Sequence, residues 1–193
     1  MPRNVSVMPD VGKTWYGDQT IDANNYGVSV NHEGTEWESR DYNPLVTGPV
    51  RETRSNRTQK RILVRNTSGS ALLPGSAVKW EAGYRGKRVD GSAAAQGPTA
   101  GFVDDMLPAS GVKDDDLFWL IVDGPVLARK ATGASSAIAA DAAVISSATF
   151  FVAAVTAAAS DAGVQATALN FCGRVITASV DGDARVLVDA KCR

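Results

Sequence analysis

The chain has 193 residues, 44% of them hydrophobic, and its 20 Lys and Arg are offset by 21 Asp and Glu to a net charge of −1. That length predicts one ordinary domain, or one domain with an arm, burying about 70% of its unfolded surface, and near-neutrality argues against a dedicated nucleic-acid binder. One histidine, His32, and two cysteines, Cys172 and Cys192, 20 residues apart with no C-x-x-C, provide neither a zinc ligand set nor a disulfide framework, so no metal or cofactor is expected.

Residues 1–20 show no apolar run behind the first basic residue, so no secretory leader is expected and the chain is read as staying where it is made. Composition then shifts sharply. Alanine occurs once in the first 70 residues, at Ala23, and 28 times afterwards. In the first 60 residues aliphatics are sparse, yet five of the eight Trp and Tyr residues stand there: Trp15, Tyr16, Tyr26, Trp37 and Tyr42. Such a segment has too little periodic apolar content to offset its ordering entropy alone. It predicts residues 1–59 as an extended arm and linker, with those five aromatics as partner-binding anchors. The competing reading is that they cover the chain's own core.

Residues 51–65 hold six cations, Arg51, Arg54, Arg57, Lys60, Arg61 and Arg65, against the single acid Glu52. No aromatics are interleaved to stack bases, so the stretch reads as a solvated or interface-facing linker, with Arg51, Arg54 and Arg57 as contacts, and no nucleic acid is expected.

From residue 60 to 193 short strands follow one another. Arg61–Arg65 leads into the polar turn Asn66–Ser70, and Ser76–Glu81 follows Pro74-Gly75. Gly83 and Gly86 bracket a turn into Lys87–Val89, closed by Asp90-Gly91, and Thr99–Asp104 is another short segment. Leu117–Val122 is a six-residue apolar run, buried on both faces if a strand, which Asp123-Gly124-Pro125 is expected to end before Val126–Lys130 resumes. Arg174–Val180 and Ala184–Ala190 flank Asp181-Gly182-Asp183, a hairpin signal. This spacing predicts an all-β antiparallel sandwich or barrel.

The forty residues Ala131–Asn170 include sixteen Ala, which favours helix, but Val144-Ile145, Phe150-Phe151-Val152 and Val155-Thr156 are β-rich clusters. Strands and loops, with at most one short helix, are expected. The charge-free run Ala142–Ser160, at 19 residues, is too rich in Ala, Ser and Thr to predict a membrane span.

Signals for chemistry mostly fail. Gly12-Lys13-Thr14 lacks the upstream glycine of a phosphate loop, where Val7 stands. Asp114-Asp115-Asp116, with Asp104-Asp105 upstream, has no calcium-loop spacing. There is no G-x-S-x-G, and the only imidazole base would sit in the arm, so no enzyme is expected and no catalytic residue is assigned. The sequons at Asn4, Asn56 and Asn66 are read as silent without a secretory route.

Four phrases carry a resemblance: Leu73-Pro74-Gly75-Ser76-Ala77-Val78-Lys79-Trp80; Gly101-Phe102-Val103-Asp104-Asp105; Leu117 through Val126; and Gly173-Arg174-Val175-Ile176 ahead of Val186-Leu187-Val188. Over about residues 60–193 they resemble the decoration, or cement, proteins of tailed-bacteriophage heads. The resemblance implies a small β-barrel or sandwich, β-tulip or jelly-roll-like. It also implies a homotrimer on the outer surface of an assembled capsid, made in the host cytoplasm, that clamps neighbouring major capsid proteins without any chemistry or membrane. The aromatic arm and the Ala-rich stretch depart from the family pattern. Another virion part, such as a fibre base or host-attachment domain, is the alternative.

Overall fold

The computed structural model describes residues 33–42, 53–92, 99–130, 137–147, 151–154, 171–180 and 182–192. These form ten strands and no helix: β1 (Glu36–Tyr42), β2 (Thr53–Asn66), β3 (Ala77–Trp80), β4 (Arg88–Ser92), β5 (Thr99–Val103), β6 (Leu117–Arg129), β7 (Ala143–Ser147), β8 (Phe151–Ala154), β9 (Phe171–Thr177) and β10 (Arg185–Lys191). The protein is all-β.

The strands join one mixed sheet in the order β1-β2-β4-β3-β5-β6-β10-β9-β7-β8, with an additional β2–β6 ladder. Purely antiparallel pairing was expected, but β2 and β4 are parallel, through Arg65↔Arg88 and Asn66↔Val89. The chain leaves β2, forms β3 one place beyond, and folds back as β4 into the gap. Asn66 fixes that departure. Its Nδ2 donates to the carbonyls of Ser70, Val112 and Lys113, and its Oδ1 accepts from Ser68 N, so a fully buried amide finds partners on both ends.

The long β6 strand organises the interior. Phe118, Leu120 and Val122 belong to a buried cluster with Val64, Leu72, Val78, Val89 and Val103. Leu117 and Trp119 face the other way, against Leu63 and the half-buried Trp37. Ile121, Val126 and Ala128 enter a third cluster with Val144, Cys172, Val175, Val186 and Val188. The expected burial of Leu117–Val122 on both faces is therefore observed, and each fully buried large side chain is worth about 1.5–3 kcal/mol of transfer energy.

Asp123-Gly124-Pro125 does not end the strand. β6 pairs with β2 from Leu117 to Asp123 and with β10 from Asp123 to Arg129, so the tripeptide marks a change of partner. Gly124 has φ of +93°, and a Cβ there would lie 2.2 Å from the Thr58 carbonyl oxygen, so no other residue fits that approach. The local turn chemistry of Asp123-Gly124-Pro125 carries no trace of this continuation, because the Thr58 backbone that lies against Gly124 is distant in sequence.

The C-terminal hairpin is as expected. Val186, Val188 and Ala190 are buried while Arg185, Leu187 and Asp189 are partly exposed, the period of two that fixes which face turns inward. Asp183 Oδ2 accepts from Val180 N across the turn. Of the Ala-rich stretch, β7 and β8 form an antiparallel pair, Ile138 bridges Ser179, and in the turn ahead of β7 Asp141 N donates to the Val175 carbonyl; residues 131–136, 148–150 and 155–170 lie outside the described residues. The expected boundary between residues 59 and 60 falls inside β2, and residues 36–42, expected in the arm, are strand β1 in the same sheet.

Candidate partner-binding surface

Of the expected contact residues, Trp15, Tyr16, Tyr26 and Arg51 lie outside the described residues. Tyr42 closes β1 opposite Thr53, and Arg54 is the second residue of β2; only their backbone is described. The ladder slips there, because Arg40 faces Thr58 while Tyr42 faces Thr53, so residues 54–57 bulge out of register. Trp37 stands opposite Arg61 and packs on Leu63, Leu117 and Trp119. Arg57 is exposed and forms an ion pair with Asp189 of β10.

One face of the β1–β2 pair is polar although it is buried. Arg61 is 0% exposed, and its two terminal nitrogens donate to Ser39 Oγ and Gln59 Oε1. Gln59 Nε2 in turn donates to the Pro125 carbonyl, tying β2 to the bend of β6. Arg61 Nε and Trp37 Nε1 are buried without an acceptor. A guanidinium satisfied only by neutral oxygens gains specificity of register more than stability.

The basic stretch is not a free cationic surface. Lys60 is held by Glu36 at 2.7 Å, and the hydrogen bond to that carboxylate raises the ammonium above its ordinary pKa. Arg65 binds Glu33 at 2.5 Å and Asp115 at 2.8 Å; burial works against its charge, but these two acids outweigh it and the net shift is upward. Arg88 reaches the same Glu33 and lies 4.2 Å over the Tyr84 ring. The cations of β2 are thus largely answered by acids of this chain, which is how a locally basic sequence sits in a near-neutral molecule.

The acidic run turns its side chains to separate tasks. Asp114 Oδ1 accepts from Gly69 N, Asp115 binds Arg65, and burial raises the pKa of Asp116. Upstream, Asp104 Oδ1 accepts from Met106 N and Asp105 Oδ2 from Leu127 N. Among the described residues no group of three His, Cys, Asp or Glu side chains is placed to hold a metal. Both cysteines are free. Burial pushes the Cys172 thiol up to about 12 and the Cys192 thiol well above its ordinary value, so both are protonated at neutral pH.

Sequence reasoning missed the buried Gln59–Arg61 network, because Arg61 looks like one more exposed cation of its run. The signal was parity: Gln59, Arg61 and Leu63 share a strand face, and the leucine marks that face as covered. No known protein family, curated protein or solved structure matches this chain.

Proposed function

We propose that this is a virion structural protein that binds the outer surface of an assembled phage capsid and stabilises it by clamping neighbouring major capsid proteins, as a homotrimer. The observation that carries this reading is where the resembling phrases fall. The Pro74-Gly75 turn leads into β3, Gly101–Val103 lies in β5, Leu117–Val126 in β6, Gly173–Ile176 in β9 and Val186–Val188 in β10, all within one sheet. The pairings β2–β4, β4–β3, β3–β5, β5–β6 and β6–β2 return to their starting strand, which supports a small barrel for the decoration domain, extended by β10, β9, β7 and β8. A closed circuit leaves no exposed edge at its centre, a suitable build for a part that must not aggregate while awaiting its shell.

Its work is binding free energy summed over many copies rather than catalysis. In this proposal Trp15, Tyr16 and Tyr26, ahead of β1, are the clasping anchors, with Tyr42 and the cations Arg51 and Arg54 beside the β1–β2 connection. Trp37 belongs to the body, since it is packed on Leu63, Leu117 and Trp119. The test mixes the full chain, and a variant lacking residues 1–32, with shells stripped of this protein. Deleting to residue 32 leaves β1 intact. The full chain should decorate the shells and the deletion should lose at least tenfold in occupancy. Equal occupancy would remove the arm from the mechanism, and failure of the full chain to bind would overturn the reading.

A further inference from the structure

We propose that the outer edge of β1 pairs antiparallel with β1 of a second copy of this chain, about a two-fold axis at Ser39 that sets Glu38 of each copy against Arg40 of the other. Among the described residues β1 is the first strand of the sheet and has one ladder, to β2. Leu63 turns both of its backbone groups toward β1, donating its N–H to the Thr35 carbonyl and accepting the N–H of Gly34. Alternation along the ladder then aims the backbone groups of Arg61 and Gln59 at Trp37 and Ser39, and those of Glu36, Glu38 and Arg40 away from β2. An edge of that kind is a template for another strand.

The side chains select the strand and its register. Glu36, Glu38 and Arg40 are all exposed. Lys60 binds Glu36 at 2.7 Å although it stands opposite Glu38, and Arg40 stands opposite the neutral Thr58. Among the described residues neither Glu38 nor Arg40 has an ion pair of its own. Two such edges bond only where outward-facing residues oppose one another, which restricts the axis to a few positions. An axis at Trp37 sets Glu36 against Glu38, and one at Arg40 sets Arg40 against itself. An axis at Glu38 sets Glu38 against itself and gives Arg40 to a Glu36 that Lys60 already holds. Only the axis at Ser39 sets opposite charges face to face, twice, without opposing like ones. Directly opposed unlike charges favour a cross-strand pair and like charges disfavour it. The strand is therefore self-complementary in one register, which is what a contact between identical patches requires.

This contact does not depend on the capsid reading; where both hold, it joins neighbouring trimers on the shell. Its test follows the mass of the full chain by sedimentation equilibrium up to about 1 mM, where even a contact of millimolar affinity is populated. The parent should associate beyond the mass that either single reversal reaches. E38R, which opposes cations across the axis, and R40E, which opposes acids, should each weaken that association at least tenfold. E38R/R40E exchanges the two charges and should return to within threefold of the parent. An equal mixture of E38R and R40E should associate although neither does alone, an effect that a disturbance within one chain cannot imitate. A parent that never exceeds the mass of the single reversals, or a mixture no better than its parts, would overturn the proposal. Association through β1 without binding to shells would contradict the capsid reading alone, and decorated shells without this association would contradict the β1 contact alone.

Discussion

Two strand pairs in this sheet hold their register by different means. In β9–β10, Val175, Val186, Val188 and Ala190 turn inward together, and a slip by one residue would carry every one of them to solvent. In β1–β2, Trp37 and Leu63 are the apolar residues packed on the covered face, and Ser39, Gln59 and Arg61 lie beside them, joined by side-chain hydrogen bonds, while Lys60–Glu36 brackets the open face. Apolar alternation is legible and robust. A polar network specifies one register only while each partner is in place, so the β1–β2 pair is expected to be the part of the body most easily loosened.

The difference can be broken at its strongest point first. Trp119→Ala removes the fully buried ring under Trp37 and Leu63 and should cost about 4 kcal/mol in urea denaturation. Val188→Ala, in the apolar pair, should cost about 2 kcal/mol. A Trp119→Ala cost no larger than that of Val188→Ala would mean that the β1–β2 side lacks an apolar anchor.

Alkaline pH sharpens the same contrast. The folded Cys172 thiol titrates near 12 against an ordinary 9.0, so the unfolded chain releases this proton first as pH rises. The stability it protects is intact below pH 9 and is lost as pH climbs from 9 towards 12, with a slope of about 1.4 kcal/mol per pH unit for this one group. Denaturation curves at pH 8 and pH 10 should diverge less for Cys172→Ala than for the parent, the buried Cys192 thiol accounting for part of what remains; equal divergence in both would assign the loss to other groups.

Arg61→Met keeps volume and removes a buried charge whose partners, Ser39 Oγ and Gln59 Oε1, are neutral, so it should change stability by about 1 kcal/mol or less in either direction. A loss above about 3 kcal/mol would reveal an ion partner and make the network stabilising rather than specifying. At the bottom of the scale, Lys60→Ala should leave the thermal midpoint where it is at any salt concentration, because its pair with Glu36 is solvent-exposed.

Much of the fold could be read from residue order. Pro74-Gly75, Leu117–Val122 and the β9–β10 hairpin stand where period and turn chemistry put them. What escaped reading was non-local. The parallel β2–β4 ladder depends on β3 passing beyond β4, and Gly124 permits a bend because Thr58, far away in sequence, lies against it. The basic stretch read as linker, residues 51–65, supplies all but the last residue of the 14-residue β2, and its Arg57, Lys60 and Arg65 meet Asp189, Glu36, Glu33 and Asp115, acids distant in the chain. Of the contact residues, the sequence marked aromatics by type but could not separate Trp37, which serves the body, from those ahead of β1.

The most direct test of the proposed role is an image reconstruction of the particle this chain comes from. Density for the ten-stranded body on the outer shell, at positions where capsid subunits meet, is the predicted result; the same density at a tail tip or spike base, with a bare shell, would contradict it.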